Sequence, residues 1–274
     1  MNTQFSVLIS LYHKEKPEYL CEALDSVFKQ TILPSEIVLV KDGPLTPELD
    51  VILDEYNTRY PIFKFVVNET NIGLGLSLTK GILACENEFV LRMDTDDIIP
   101  PERFAKEVEA LNQGYDVVSC WSLLFEGDIN NVIAIKTRPE YHEDIVKLAH
   151  KRSPVCHAGC AYRRSAVIKA GNYEHHLYYE DYDLWVRMIL CGCKFYNIQE
   201  VLYYVRTSID MVKRRGGLTY ALNEIKIFRR FRVLGFYTYK DLVCNSITHF
   251  IVRVIPPNAR EILMRKIWNY KSHK

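Results

Sequence analysis

The 274 residues are 48% hydrophobic and carry 35 Lys and Arg against 34 Asp and Glu, a composition that excludes a disordered or fibrous chain and supplies a packed core. The net charge of +1 hides a split: residues 1–202 hold 20 Lys and Arg against 30 Asp and Glu, and residues 203–274 hold 15 against 4, so the two parts stand at −10 and +11. The acidic part repels a polyanion and weighs against nucleic acid as a partner, and the late uncharged run Leu242–Val252 falls far short of the roughly 20 apolar residues that cross a bilayer.

From the start of the chain, MNTQFSVLIS has neither a positive beginning nor a small-residue cleavage site, so no secretion signal is expected. Phe5–Tyr12 and Glu36–Val40 are β-branched-rich apolar runs without polar alternation, which predicts strands covered on both faces. Between them Leu20, Leu24, Val27 and Phe28 share one face at helical spacing, closed off by Pro34. The unit repeats: Thr46 is placed to cap a helix with Pro47 at its first position, Ile62–Val67 reads as a strand, Leu74–Cys85 as a helix and Glu88–Met93 as a strand. A helix over Pro101–Gln113 is stopped by Gly114, Val117–Phe125 is a strand, and a less regular stretch runs to about Arg164. Ser165 is expected to cap a short helix ending at Gly171, and Tyr182–Leu190 a further helix ending near Gly192.

This alternation predicts an α/β fold, a mainly parallel sheet with helices on both faces, whose ligands bind beyond the carboxyl ends of the strands. Asp42 and Asp94 both fall just past such ends. The cysteines, eight in all, sit mostly in apolar runs, as free thiols of a reducing compartment do; Cys156 with Cys160 and Cys191 with Cys193 lack zinc-site spacing.

Two acid clusters carry the chemistry. Arg92-Met-Asp-Thr-Asp-Asp ends a buried strand in three carboxylates within four positions. Such crowding suits a hard divalent cation, Mg2+ or Mn2+, that also binds phosphate oxygens; solvated helix-capping acids are the structural alternative. Tyr179-Glu-Asp-Tyr-Asp-Leu-Trp opens a helix, where the dipole keeps carboxylates ionised, as a general base requires; N-terminal acids without chemistry are again the alternative.

FSVLISLYHK, EIVLVKDGP, RMDTDD and YYEDYDLW, in that order and spacing, resemble the first strand, the second strand, the metal motif and the base motif of the family 2 glycosyltransferases across about residues 4–206. The resemblance implies the GT-A fold, a Rossmann-like mixed sheet, and bacterial enzymes that build O-antigen, capsule or exopolysaccharide repeat units. It implies that Ser10, Tyr12 and Asp42 contact the donor nucleotide and that Asn71 and Gly73 shape the donor pocket. Asp94 is then expected by ribose and metal, Asp96 as direct metal ligand and Asp181 as base, with His157, Glu180 and Trp185 on the acceptor side. The expected reaction is inverting and Mn2+- or Mg2+-dependent: a UDP-hexose, galactose or glucose favoured, gives a β-glycoside on an undecaprenyl-diphosphate-linked saccharide. A GT-A-like protein that binds nucleotide or lipid without turnover is the alternative.

Where many members carry a histidine, Tyr203-Tyr-Val-Arg-Thr-Ser has none, and Lys213, Arg214 and Arg215 are candidates to neutralise a diphosphate or a lipid headgroup. Residues 1–205 are expected as the catalytic domain and 206–274 as a basic, aromatic, helical membrane-docking segment, divided at Pro256 and Pro257. The expected location is the cytoplasmic face of the inner membrane, held peripherally. NIGLG is not the GxGxxG of a dinucleotide oxidoreductase.

Overall fold

A computed structural model describes residues 3–207 and 216–256. The elements run β1 (Phe5–Leu11), α1 (Pro17–Phe28), β2 (Glu36–Asp42), α2 (Pro47–Arg59), β3 (Phe63–Asn68), α3 (Leu74–Ala84), β4 (Phe89–Met93), α4 (Arg103–Asn112), β5 (Val117–Phe125), β6 (Val132–Lys136), α5 (His142–Ala149), β7 (Cys160–Arg163), α6 (Arg164–Lys169), α7 (Glu180–Leu190), β8 (Phe195–Arg206), α8 (Leu218–Val233) and α9 (Tyr239–Val254).

The described strands form one sheet in the order β3-β2-β1-β4-β7-β5-β6, with β8 paired to β5. The first four are parallel, as their unbroken apolar runs require once helices cover both faces. Beyond β4 the sheet is mixed: β7 is antiparallel to β4 and β5, β6 is antiparallel to β5, and β8 is parallel to β5. One core packs α1, α2 and α4 against the sheet through Leu20, Leu24, Leu53 and Phe104; a second packs α3, α6 and α7 through Leu78, Ile82, Val167 and Trp185.

Thr46 does cap α2, its side chain accepting from the Leu49 N–H with Pro47 in the first turn, an arrangement worth about 1 kcal/mol. Ser165 does not cap α6. That helix begins at Arg164 behind Arg163, and the Ser165 hydroxyl bonds Glu88 instead, tying α6 to the start of β4. The stretch before Arg164 is more regular than expected, holding β6, α5 and β7, each of eight residues or fewer.

The described part of the C-terminal region is a helical hairpin on α7. Tyr220, Phe228, Phe231, Phe236 and Tyr237 share a third core with Tyr179, Tyr182 and Val186 of the α7 region. The Tyr182 hydroxyl donates to the Ala149 carbonyl (2.5 Å) and meets the Tyr237 hydroxyl at 3.0 Å. Charge adds to this packing: Arg230 bonds Asp183 at 2.6 Å and Glu174 at 2.8 Å. Within the hairpin, Glu224 accepts from Arg253 at 2.9 Å and lies 2.9 Å from His249 Nδ1.

Burial alone would raise the Glu224 carboxyl, but the bonds and charges of Arg253 and His249 override it and pull the value from 4.5 to about 2. A depressed folded value means stability that is present above the unfolded value and is lost as pH falls from 4.5 through about 2. Thermal unfolding followed against pH should therefore show the native protein losing about 2–3 kcal/mol across that window, and Glu224→Gln starting lower but responding less.

Candidate active site

The carboxyl ends of β1, β2 and β4 open on one side of the sheet, and the sequence-predicted donor residues gather there. Asp42 ends β2, buried, and its carboxylate is already engaged. Oδ1 accepts from the Ile72 N–H (2.8 Å) and Asn68 Nδ2 (3.1 Å), and Oδ2 from the Gly73 N–H (3.0 Å). Asn71 Nδ2 donates to the Asp42 carbonyl at 3.3 Å. Asp42 thus pins the Asn71–Gly73 loop, and with Oδ2 holding a single N–H the carboxylate keeps acceptor capacity for a ligand donor. Gly73 sits at φ +90, a backbone state that favours glycine, and leads into α3. Ser10 is half-buried near the end of β1, in register with Val40, and Tyr12 just beyond is 40% exposed.

The acid loop follows β4. Carboxylate oxygens of Asp94, Asp96 and Asp97 lie within 4.8 Å of one another. Arg92, fully buried on β4, donates to Asp94 Oδ1 at 2.5 Å. Burial first, then the charges of Asp94 and Glu15, push Asp96 up to about 7. Burial followed by Asp96 and Asp94 pushes Asp97 well above the carboxylate range. Crowded carboxylates, two of them raised, are a donor set that a divalent cation relieves, and hard oxygens are the ligands Mg2+ and Mn2+ take. Asp94 and Asp96 fit that role. Asp97 is occupied, buried and accepting from the Arg206 N–H at 2.8 Å.

Strand β8 clamps this loop. Ile98 and Tyr204 exchange backbone bonds (3.1 and 2.9 Å), and Arg206 Nε donates to the Asp96 carbonyl at 2.9 Å while its guanidinium pairs with Glu22. The Tyr203 hydroxyl accepts the Asp94 N–H (3.1 Å) and offsets part of the rise that burial imposes on Asp97. Its ring passes so close to Gly159 that a Cβ there would lie 2.7 Å from it, which is why the CHAGC segment needs glycine at that point. Arg206 thus occupies the segment where a histidine was looked for, and it binds the loop through the backbone. Lys213, Arg214 and Arg215 lie outside the described residues.

The second acid cluster opens α7, two residues earlier than the predicted Tyr182, so Glu180, Asp181 and Asp183 all stand in its first turn. Asp181 accepts from the Ser153 hydroxyl at 3.1 Å. Glu180 is raised to about 7, by burial and then by Asp181, and it also feels Arg92 and Asp94. Charge from the first motif thus reaches the second, far from it in sequence. Gly75 makes room for Glu180: a Cβ there would sit 3.1 Å from Glu180 Cβ. Asp183 belongs elsewhere, in an ion-pair cluster with Arg187, Arg230 and Glu174.

His157 lies between the motifs, half-buried, Nε2 3.0 Å from the Tyr173 hydroxyl, and burial with the nearby Arg92 charge keeps it neutral. Trp185 corrects an expectation. It is wholly buried, its ring edge-on to His157 at 6.0 Å, so it supports that residue from the core instead of meeting an acceptor.

Arg92, Tyr203 and Arg206 were missed as site residues, although an arginine two positions before an acid cluster on an apolar strand is a legible sign of charge compensation. If Tyr203 holds the loop, Tyr203→Phe should weaken Mn2+ binding about tenfold while leaving the fold cooperative, read by electron paramagnetic resonance titration of free Mn2+ beside thermal unfolding.

The profile of Glycosyl transferase family 2 matches residues 6–171. The chain is 36% identical over 266 residues to the UDP-Gal:alpha-D-GlcNAc-diphosphoundecaprenol beta-1,3-galactosyltransferase of Escherichia coli, covering 96% of both chains. It is 40% identical over 225 residues to the amylovoran biosynthesis glycosyltransferase AmsE of Erwinia amylovora, covering 82% of this chain and 84% of that one. Among solved structures, the mannosyltransferase PcManGT of Pyrobaculum calidifontis, in complex with GDP-Man and Mn2+, superposes with a TM-score of 0.65 at 14% identity, over 94% of this chain and 72% of that one. That likeness bears on the fold, which is GT-A-like, while the sequence matches bear on descent: this chain belongs to glycosyl transferase family 2 and is a glycosyltransferase.

Proposed function

We propose that the protein transfers a hexose, galactose before glucose, from a UDP-sugar to a hydroxyl of a saccharide linked through diphosphate to undecaprenol. The product is a β-glycoside in a bacterial surface polysaccharide, made at the cytoplasmic face of the inner membrane. The observation that carries the reading is the first turn of α7, where Asp181 accepts from Ser153 and its neighbour Glu180 packs on Gly75, at the start of the helix that the Asp42-held loop leads into. The similarity to the Escherichia coli galactosyltransferase along nearly the whole length of both chains supports galactose and a lipid-diphosphate acceptor.

In this reading Asp42, Ser10, Tyr12 and the Asn71–Gly73 loop bind the nucleotide end of the donor. Asp94 and Asp96 would hold Mn2+ or Mg2+, whose charge offsets that of the departing diphosphate. Asp181, oriented by Ser153, takes the proton of the acceptor hydroxyl. The acceptor oxygen bonds to the anomeric carbon as the bond from that carbon to the diphosphate oxygen breaks, and UDP leaves from the opposite face, inverting the centre. Glu180, raised to about 7, is only partly ionised near neutral pH, so it adds less than a full negative charge beside Asp181, and in its protonated form it is able to donate a hydrogen bond to an acceptor oxygen. His157 stays neutral and so does not compete for the proton.

The test follows UDP release from a panel of UDP-sugars with Mn2+ or Mg2+ and a GlcNAc-diphosphate-lipid acceptor. UDP-galactose should turn over, EDTA should abolish it, and Asp181→Asn should lower kcat at least about a thousandfold with donor affinity kept within about threefold. Asp96→Ala should lose both metal response and turnover. Donor binding without turnover under any acceptor would support the non-catalytic alternative; no binding of any UDP-sugar would sink the donor assignment.

A further inference from the structure

Among the described residues, helix α9 is tied to the body along one side. Asn245 donates to the His150 carbonyl at 2.8 Å, His249 Nε2 lies 3.1 Å from the Lys151 carbonyl, and Arg253 grips Glu224. On its other side Tyr239, Val243, Ile247, Ile251 and Val254 recur at intervals of four, four, four and three, with exposures from 45% (Val254) to 71% (Tyr239). That spacing is one face of an α-helix followed from end to end. Single exposed apolar residues need no account, whereas a stripe along a whole helix does. Lys240 is the one charged residue at the exposed positions of α9; on α8 the exposed positions add Leu218, Leu222, Lys226 and Arg229.

We propose that this face of α9 is the surface by which the protein lies on an anionic bilayer, the stripe entering the boundary between headgroups and acyl chains; the inference rests on the lipid-linked acceptor proposed above. Charge selects this occupant. Among the described residues of the hairpin, Lys226, Arg229 and Lys240 stand at exposed positions and neither acid does, and the 18 residues after Pro256, outside the described structure, hold five Lys and Arg against one acid, together with Trp268 and Tyr270. A second copy docked on this face would bring two basic surfaces together, whereas anionic headgroups are attracted to them. At 16 residues α9 is too short to cross a bilayer, which leaves the interfacial plane. The placement serves the reaction: α9 packs on α8, α8 shares a core with Tyr179 and Tyr182, and Asp181 lies between these two tyrosines in sequence. A lipid-diphosphate acceptor would rise from the same surface that α9 rests on.

The full chain is tested by flotation with vesicles of phosphatidylethanolamine and phosphatidylglycerol, and with phosphatidylcholine alone. The triple variant Val243→Glu, Ile247→Glu, Ile251→Glu should lose at least about tenfold in partition to the anionic vesicles, while kcat/KM on a water-soluble GlcNAc-diphosphate carrying a short alkyl chain stays within about twofold. Because exposed sites tolerate change, folding should persist, and Ile247→Trp gives an independent reading: brominated lipids should quench its added fluorescence relative to the native protein. A triple variant that floats like the native chain, or no added quenching in Ile247→Trp, overturns the proposal. So does a native dimer that the triple variant makes monomeric in sedimentation, since a second copy would then own the face. Loss of flotation in the triple variant with no turnover of any soluble acceptor by the native chain leaves the docking surface standing and rejects the acceptor instead.

Discussion

The proposed chemistry of this protein depends on keeping three carboxylates together at the end of one strand. Asp94, Asp96 and Asp97 lie close enough that burial and mutual repulsion raise two of them, and the loop would splay if only its own backbone held it. The fold opposes that repulsion from three directions. Arg92 supplies a buried positive charge from the strand itself, and Tyr203 and Arg206 bind the loop from β8. Underneath, Arg103 donates to the Arg92 carbonyl at 2.7 Å and pairs with fully buried Glu107 at 3.0 Å, so the strand that presents the acids is fastened to α4. A buried pair of this kind contributes little net stability, since desolvation offsets attraction; its use is to fix geometry. The residual strain among the acids is then available to a cation, which gains what the crowding costs.

The second half of the site is joined to the first through α3. One end of that helix receives the Asp42-held loop, its second residue is the glycine against which Glu180 packs, and Thr79 on the next turn donates to the Tyr173 carbonyl at 2.8 Å. The Asn71–Gly73 loop and the first turn of α7 are thereby referenced to one short element. This matters for transfer chemistry, where the base must meet the acceptor proton within hydrogen-bond reach and small displacements are costly.

What could be read from the sequence follows from how local each signal is. The parallel strands and their helices were legible because burial on both faces leaves unbroken runs, and Thr46-Pro47 is a cap written in adjacent residues. Both acid motifs were legible because their members are neighbours in the chain. Elements β6, α5 and β7 were not, being too short for a period to show, and β8 gave no alternation because its residues meet β5 through two register shifts. The roles of Tyr203 and Arg206 were invisible for another reason: each acts on residues more than a hundred positions away, a separation only the folded chain closes. Trp185 misled because its neighbours in sequence line the site while helical rotation turns its own side chain into the core.

The charge split between the two parts of the chain is met in part inside the protein itself. Arg206 pairs with Glu22 and ties the end of β8 to α1, while Arg230 pairs with Asp183 and Glu174 and fastens the hairpin to the rest of the protein, so some of the C-terminal excess is consumed within the fold. Within the hairpin Arg253 is taken by Glu224. The cations left at exposed positions, Lys226, Arg229 and Lys240, share the surface of the hairpin with its exposed apolar residues. Thus the same compositional bias serves two purposes that sequence cannot separate: inward-facing arginines that orient the hairpin on α7, and outward-facing cations that pair with no acid among the described residues. The inward set fixes which way the outward set, and the stripe on α9, must face.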